Sequence, residues 1–424
     1  MIAAGGSDLM LRVLPQLVLL LLIARLGGAA MRRLGQPRVV GEIAAGLLLG
    51  PSAFGALWPE GFAAVFGDVG PSSPLALLGQ LGLVFLTLLM GMEFEFAHLR
   101  TTAKTAVAVA LGGIALPFTI GTPLALLLHE QLALDVSLPG MSLFLSTALS
   151  ITSIPVLGSI LLEHGLTRTR FGVVAITAAG LDDALGWILL ATVSAIVAGG
   201  GAMDRCVAML GATVAFVAVA LLVVRPLLVR FVAKPVANGQ PLTLSGLSLV
   251  LGAALACAYA TERIGVFALF GSFVLGASLW SETALRNALK QQLAPVVDAL
   301  FLPVFFALTG LRTDIGNLDT ATEWMLCAVV FFASCVGKIV GCGGAARLFG
   351  VPMRESLCVG VLMNTRALMG LVAIEVGRSI GVIDGAVYTM LVLMAIGTTL
   401  MTTPLLRLLA PEARGAASPT QARL

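Results

Sequence analysis

Apolar runs long enough to cross a lipid bilayer dominate the amino-acid sequence. A bilayer core about 30 Å thick needs about 20 apolar helical residues to cross it. Thirteen such runs follow one another along the chain: 8–29, 36–55, 74–93, 103–128, 138–162, 169–199, 205–233, 243–262, 265–281, 291–311, 322–348, 354–378 and 384–409. Runs of this length and number predict an all-α polytopic membrane protein.

The composition also indicates that the chain folds in a lipid bilayer. Of the 424 residues, 58% are hydrophobic and 11% are charged, whereas an ordinary soluble domain has about 25% charged residues. A soluble fold leaves much of its chain facing water and cannot cover this much apolar surface. The first run lacks a small-residue cleavage site and is followed by further runs, so it predicts a span and not a secretory signal. Membrane lipid is the expected partner, and nucleic acid is not.

The cysteines and histidines do not form a metal-binding pattern. The six cysteines contain no Cys-x-x-Cys spacing, and the three histidines are scattered near the ends of runs. Cysteine is a small residue that packs readily in apolar surroundings. The sequence therefore predicts buried, structural cysteines, and no resident cofactor is expected.

The basic residues predict the orientation of the chain, because cytoplasmic loops carry an excess of Lys and Arg. With the N-terminus outside, Lys338 and Arg366 fall within runs, and most of the other basic residues fall inside. Of the 25 Lys and Arg residues, those on the outer side are Arg12, Arg205, Arg263, Arg312 and Arg378. We therefore expect a cytoplasmic C-terminus, in the inner membrane of a bacterium. A short tail follows at 411–424, and no soluble regulatory domain is expected on this chain.

A faint internal repeat links two pairs of runs. The third run ends in LLMGMEFE (88–95) and the tenth in ALTGLRTD (307–314). Their offset of seven runs is odd, so the second copy would cross the membrane in the opposite direction, as in the inverted repeats of many secondary transporters. The same offset pairs the fifth run with the twelfth, the two most polar runs of the chain.

Two adjacent carboxylates, Asp182 and Asp183, lie in the middle of the sixth run. Ionisable groups inside a span are costly and need a reason. Adjacent helical residues point about 100° apart, so one carboxylate can face a water-filled cavity while the other turns to a neighbouring helix. A structural salt bridge or a packing hydrogen bond would explain one aspartate, but a tandem pair favours a function in carrying charge.

Lys338 lies about midway along the eleventh run. A lysine at this depth must be neutral or paired with an acid. Few acids lie within runs, so Asp182 or Asp183 is the expected partner. The alternative is a side chain that extends to the membrane surface, but Lys338 is several residues from either end of its run.

The fifth run contains a proline that follows a cluster of hydroxyls. Pro155 lacks a backbone N–H, and Ser150, Thr152 and Ser153 precede it. A proline inside a helix frees carbonyl groups, and carbonyl and hydroxyl oxygens facing a cavity are good ligands for a small alkali cation. The alternative is an ordinary proline kink, which is common in membrane helices.

The twelfth run carries Asn364, Thr365 and Arg366 near its centre. A helix that served packing alone would not place three polar residues there. Arg366 is expected either to neutralise the C-terminal ends of broken half-helices or to hold an acid elsewhere. Four other acids are interpreted as peripheral: Glu42, Glu93 and Glu95 as structural groups, and Glu375 as facing water.

These segments together resemble the second family of monovalent cation:proton antiporters. The resemblance runs from about residue 36 to 405 and rests on QPRVVGEIAAGLLLGPS, LLMGMEFE, SITSIPVLGSILLEHGLTRTRFG, AAGLDDALGWILLA, FALTGLRTD and the stretch from GKIVGCGGAARLFG to MNTRALMGL. One position differs, because many relatives have glycine where this chain has Ala367, so a gentler break is expected there.

The resemblance implies the sodium/proton antiporter fold, with about 13 transmembrane helices, inverted repeats and two crossed discontinuous helices. It implies one domain over 1–410. A scaffold bundle of runs 1, 2, 7, 8 and 9 would form a homodimer. A core bundle of runs 3–6 and 10–13 would carry the ion by an elevator-like movement.

The resemblance also implies roles for individual residues. Asp183 would bind the cation and carry a proton. Asp182 would bind the cation or exchange partners with Lys338. Thr152 and Ser153 would add oxygen ligands. The residues expected to support the helix crossing are Pro155, Asn364, Thr365 and Arg366.

The expected activity is therefore the exchange of protons for a monovalent cation, Na⁺ first and K⁺ second, and not an enzymatic reaction. The alternatives are a potassium efflux transporter, a channel-like uniporter and a cation-sensing or scaffold protein. An intramembrane aspartyl protease also uses two aspartates, but those must face each other across two helices, whereas Asp182 and Asp183 are adjacent on one.

Overall fold

The computed structural model describes residues 4–67, 70, 73–93, 99–198 and 203–410. The described residues form helices and turns, with no strand among them, which confirms the all-α class. The helices are α1 (Ala4–Arg33), α2 (Arg38–Leu49), α3 (Pro59–Val65), α4 (Pro74–Met92), α5 (Leu99–Gln131), α6 (Leu138–Ser150), α7 (Ile154–Glu163), α8 (Arg170–Ala198), α9 (Met203–Val219), α10 (Arg225–Leu228), α11 (Lys234–Ala237), α12 (Leu244–Ile264), α13 (Ala268–Ser278), α14 (Thr283–Val296), α15 (Leu302–Leu311), α16 (Ala321–Leu348), α17 (Met353–Met363), α18 (Ala367–Ser379) and α19 (Gly385–Leu409).

The predicted multi-pass membrane protein is confirmed. Within the described residues, ten helical segments are long and apolar enough to cross a membrane, and the bent pair α17–α18 makes an eleventh. The other two predicted runs hold shorter helices: α2 with a π-helical turn at Pro51–Gly55, and α13. The 11 residues of α13 rise about 16 Å, about half of a bilayer core. Glu95 and the predicted tail at 411–424 lie outside the described residues.

The chain divides into two compact units. The first comprises Met1–Arg25, Ala45–Glu95 and Ala191–Arg312, and the second Leu26–Ala44, Phe96–Leu190 and Thr313–Leu424. The third and tenth runs lie in the first unit, whereas the family resemblance implies a core bundle that joins them to runs of the second. The division into scaffold and core bundles stays a prediction.

In the first unit, α4 and α13 pack closely through small residues. Gly91 of α4 lies against the backbone of Phe273, and Gly276 of α13 lies against the carbonyl of Leu88. Because neither glycine has a side chain, the two backbones can approach each other. A buried hydroxyl pair, Thr87 and Ser272, joins the same helices with 2.5 Å between the oxygens.

Three π-helical turns of the first unit each end just before a proline. They are Ala220–Val224 before Pro226, Val229–Ala233 before Pro235, and Val297–Phe301 before Pro303. A proline ring clashes with the carbonyl four residues earlier and cannot donate to it. The wider turn moves that carbonyl away, so the helix continues through the proline.

In the second unit, α5 and α16 pack through Gly112 and Gly341. An added Cβ at Gly112 would lie 2.6 Å from the carbonyl oxygen of Gly341, and one at Gly341 would lie closer still to the carbonyl oxygen of Gly112. Small residues at a helix crossing allow this approach. The contact places Lys338, one turn before Gly341 on α16, beside α5.

Glu42 has a structural role in the second unit. Its carboxylate pairs with Arg38 at 3.0 Å, and its side chain is 1% exposed. The neighbouring Gly41 lies against the backbone of Gly27 and Gly28. The small residues around Glu42 therefore support close helix packing, as the sequence indicated.

The five cysteines whose burial the structure describes are buried, as predicted. These thiols, which form no disulfide, are Cys257, Cys327, Cys335, Cys342 and Cys358. They lie in the apolar interior of their helices and act as small packing residues.

Candidate ion-binding site

Asp182 and Asp183 lie near the middle of α8 and are 1% and 2% exposed. An ionised carboxylate at such a depth requires a counter-charge or hydrogen-bond donors. In the described part of the chain, Oδ1 of each aspartate has no hydrogen-bond partner. Both carboxyl groups therefore keep an oxygen available for a proton or a cation.

Lys338 forms an ion pair with Asp182. Its Nζ donates to Oδ2 of Asp182 at 2.9 Å, and both side chains are fully buried. Gly113 of α5 packs beside the Lys338 ammonium, since an added Cβ there would lie 3.3 Å from Nζ of Lys338. Of the two partners left open by the sequence, the structure thus joins Lys338 to Asp182. The ammonium is enclosed by protein and does not extend to a membrane surface.

The fifth predicted span is broken. Helix α6 ends at Ser150 and α7 begins at Ile154, with Ile151 (φ −74°, ψ 137°) and Ser153 (φ −112°, ψ 99°) in extended conformations between them. Pro155 lies in the first turn of α7, where its missing N–H would have no intrahelical partner in any case. The chain therefore breaks before the proline and is not simply kinked by it.

The twelfth predicted span is broken in the same way, between α17 and α18, which are bent by 44°. The two breaks are hydrogen-bonded to each other. Thr152 Oγ1 donates to the carbonyl of Met363 at 2.8 Å, and the backbone N–H of Ser153 donates to the carbonyl of Thr365 at 2.8 Å. Backbone groups freed in one broken helix are thus satisfied by the other, and the predicted crossing of two discontinuous helices is confirmed.

Arg366 braces the crossing through carbonyl groups. Its side chain is fully buried, and its two terminal nitrogens donate to Ala148 at 3.0 Å and to Ser334 at 3.2 Å. Ala148 lies in the last turn of α6, where helix carbonyls carry a partial negative charge. Of the two roles expected for Arg366, the contacts fit the neutralisation of a half-helix end.

The break in the fifth span lies against α8 close to the aspartates. An added Cβ at Gly186, one turn after Asp182, would lie 3.1 Å from Cγ1 of Ile151. Ile151 directly precedes Thr152 and Ser153. Within the described residues, Ser153 Oγ is buried and has no hydrogen-bond partner, while the Thr152 oxygen keeps lone pairs after donating to Met363. The segment that carries these hydroxyls thus lies beside the helix that carries the two carboxylates.

Asn364 and Glu375 make contacts that the sequence did not predict. Asn364 Nδ2 lies 3.5 Å from the sulfur of Cys335, so this amide packs on α16. Tyr388 donates to the Glu375 carboxylate at 3.4 Å. Glu375 therefore bonds to α19 and does not simply face water.

Two further residues at the crossing escaped the sequence analysis. Thr399 Oγ1 accepts a hydrogen bond from the backbone N–H of Ala367 at 3.2 Å, and Thr402 Oγ1 lies 3.5 Å from Thr365 Oγ1. Both threonines belong to α19 and are fully buried. The sequence signal was present in GTTLMTTP, a hydroxyl cluster inside an apolar run similar to the one that marked the fifth span.

Comparison with known proteins gives consistent results. The family model described as "Sodium/hydrogen exchanger, transmembrane" matches residues 18–408. The chain is 35% identical to the Na(+)/H(+) antiporter NhaS4 of Synechocystis, over 94% of this chain and 97% of that one. It is 37% identical to Cation/H(+) antiporter 17 of Arabidopsis thaliana, over 94% of this chain and 49% of the relative. A K(+)/H(+) antiporter of Saccharomyces cerevisiae also matches.

The chain therefore spans about half the length of the plant relatives that it matches. Among solved structures, the sodium proton antiporter MjNhaP1 of Methanocaldococcus jannaschii has the same fold. The TM-score is 0.62, with 18% sequence identity, over 97% of this chain and all of that one.

Proposed function

The chain belongs to the sodium/hydrogen exchanger family of transmembrane proteins, a family of cation/proton antiporters, and from this premise we propose that it exchanges protons for sodium by alternating access. Potassium is the alternative cation, because relatives named as potassium/proton antiporters also match. Sodium comes first because NhaS4, matched over 97% of its length, is named a Na(+)/H(+) antiporter.

One observation carries the proposal: the adjacent buried carboxyl groups differ in their partners. Asp182 is neutralised by Lys338 at 2.9 Å, whereas Asp183 forms no ion pair among the described residues. An unpaired charge in a low-dielectric interior is strongly disfavoured. Asp183 is therefore stable when it holds a proton or a cation, and it is unstable as an unpaired carboxylate.

That condition produces exchange. A cation that reaches Asp183 replaces its proton, and the proton leaves when the site opens to the other side of the membrane. The second carboxylate supplies a further oxygen if the cation draws Asp182 away from Lys338. Ser153 and Thr152 add hydroxyl oxygens, which suit a hard monovalent cation that prefers oxygen ligands.

The wider setting is part of the same proposal. The distribution of basic residues supports a bacterial inner membrane location with the N-terminus outside and the C-terminus in the cytoplasm. The proposed assembled form is a homodimer, as the resemblance to cation:proton antiporters implies. The transported ions are substrates, and no resident cofactor is required by the exchange.

The proposal is tested with purified protein in proteoliposomes that contain a pH-sensitive dye. An imposed pH gradient should drive uptake of Na⁺, and added Na⁺ should dissipate the gradient, with a smaller response to K⁺ and Li⁺. A channel-like uniporter would carry the cation down its own gradient with no coupled proton movement. Cation flux that is independent of the pH gradient would overturn the proposal.

A further inference from the structure

The start of α18 presents an unusual capping problem. The first N–H groups of a helix have no intrahelical acceptor, and a side-chain oxygen of the preceding residue caps only those of the second and third helical residues. That residue is Arg366, whose guanidinium has only donors, and its two terminal nitrogens are bonded to Ala148 and Ser334. The helix N-terminus is fully buried at Ala367, so water does not replace the cap.

The acceptor comes from another membrane helix. Thr399 of α19 accepts from the Ala367 N–H at 3.2 Å, while its own hydroxyl hydrogen is donated to the Ala395 carbonyl at 2.8 Å. The second bond fixes the hydroxyl so that a lone pair faces α18. Thr399 is 0% exposed, and its acceptor role is therefore built into the packing of α19.

The hydrogen bond between Ala367 and Thr399 is linked to the candidate cation ligand Ser153 through Thr365. Thr365, two residues before Ala367, accepts from the N–H of Ser153 at 2.8 Å. The position of Ser153 thus depends on where the broken twelfth span is held. Thr402 on α19 adds a contact to Thr365 at 3.5 Å.

We infer that Thr399 is a positioning residue for cation binding, which caps α18 from α19 and so fixes Thr365 and Ser153 in the crossing. The inference rests on the proposed cation/proton exchange. Without the hydroxyl, the Ala367 N–H is left buried and unpaired, and the break relaxes to find another acceptor. This relaxation displaces the oxygen ligands and therefore raises the KM for the cation.

The chain offers a matched control in the adjacent residue. Thr398 is also 0% exposed, but its hydroxyl donates to Ala395 within its own helix. Thr399→Val and Thr398→Val remove the same atom from neighbouring buried positions. Thr399→Ser keeps the hydroxyl and serves as the conservative rescue.

The test measures cation-dependent proton flux in proteoliposomes for the wild type and these three variants. T399V should raise the cation KM about tenfold, equivalent to about 1.4 kcal/mol, with a smaller change in the maximal rate. T398V and T399S should keep KM near the wild-type value. Equal KM values for T399V and T398V would overturn the inference. An inactive wild type would instead count against the proposed function.

A second measurement does not depend on transport, and its wild-type part does not depend on the folding of a variant. Hydrogen exchange followed by mass spectrometry reports the protection of backbone amides in the segment 365–370. The wild type should show slow exchange at Ala367, and T399V should accelerate exchange there while T398V does not. Fast exchange at Ala367 in the wild type would show that the cap is not formed and would overturn the inference.

Discussion

Nζ of Lys338 lies 2.9 Å from Oδ2 of Asp182, and both side chains are fully buried. Removing one partner of a buried ion pair leaves an uncompensated charge and costs about 3–5 kcal/mol. We therefore expect Asp182→Asn and Lys338→Met each to lower the free energy of unfolding by about this amount. The double variant should be less destabilised than the sum of the two. Thermal unfolding of the purified protein in detergent measures all three.

Additive losses of stability in the double variant would contradict the interaction between Asp182 and Lys338. Mutations of independent sites add to within about 0.5 kcal/mol. If the double variant equals the sum of the single variants, Asp182 and Lys338 do not stabilise each other in the folded protein. Glu42→Gln, which breaks the Arg38–Glu42 pair at 3.0 Å, shows how a pair with one partly exposed partner responds.

Thr152 and Ser153 are expected to separate into a bracing role and a ligand role. Thr152 donates to the Met363 carbonyl at 2.8 Å, so Thr152→Val should lower stability by about 1 kcal/mol. Ser153 Oγ has no partner among the described residues, so Ser153→Ala should leave stability nearly unchanged and raise the cation KM. Melting temperature and transport kinetics of both variants provide the check, and an unchanged KM in S153A would remove Ser153 from the ligand set.

Gly113 is expected to be necessary for the position of Lys338 in its ion pair with Asp182. An added Cβ would lie 3.3 Å from Nζ of Lys338 and would overlap the sulfur of Cys342. Gly113→Ala should therefore displace Lys338 and slow exchange. Gly344→Ala is the matched control, because no atom lies within 4 Å of a Cβ added there. Initial rates of proton flux compare the two variants, and equal rates would show that the packing around Lys338 tolerates a methyl group.

Arg366 is expected to depend on its shape as well as its charge. Its two terminal nitrogens donate to carbonyls on two different helices, at 3.0 Å and 3.2 Å, which a single ammonium group does not reproduce. Arg366→Lys should lower the free energy of unfolding by about 1.5–3 kcal/mol, the range for hydrogen bonds to a charged group. Arg378→Lys, on the last turn of α18, is the control. Comparable melting temperatures for the two variants would contradict the bracing role.

The sequence predicted those features that depend on one segment at a time. Run length predicted the spans, and the cost of buried charge predicted a lysine–aspartate pair. Polar clusters marked the fifth and twelfth runs as the most polar of the chain, but the breaks themselves were implied by the resemblance to cation:proton antiporters. The spans and the ion pair needed only the local residue types and the solvent that surrounds them.

The features that the sequence left open depend on tertiary packing. Asp182 and Asp183 point about 100° apart, so the rotation of α8 in the bundle decides which of them meets Lys338. The start of the first break depends on bonds to Met363 and Thr365, which are remote in sequence. The cap on Ala367 comes from Thr399, 32 residues away, and no local pattern joins the two.

The sequence also did not predict the length of the short helix α13. The run 265–281 is mostly apolar, but α13 occupies only Ala268–Ser278. Gly265 adopts a left-handed conformation with φ 95° and ends α12, which glycine does at little cost. Hydropathy does not register where α13 begins, because Val266 and Phe267, which lie between this turn and the helix, are themselves apolar.

The central claim is that Asp183 holds the proton that the cation replaces. The most direct measurement is Na⁺-dependent proton flux in proteoliposomes containing Asp183→Asn, beside Glu42→Gln, a substitution of the same type at a buried, ion-paired carboxylate. An amide has the size of the carboxyl group but does not release a proton at neutral pH. We predict that D183N abolishes the flux while E42Q retains it; wild-type flux in correctly folded D183N would contradict the account.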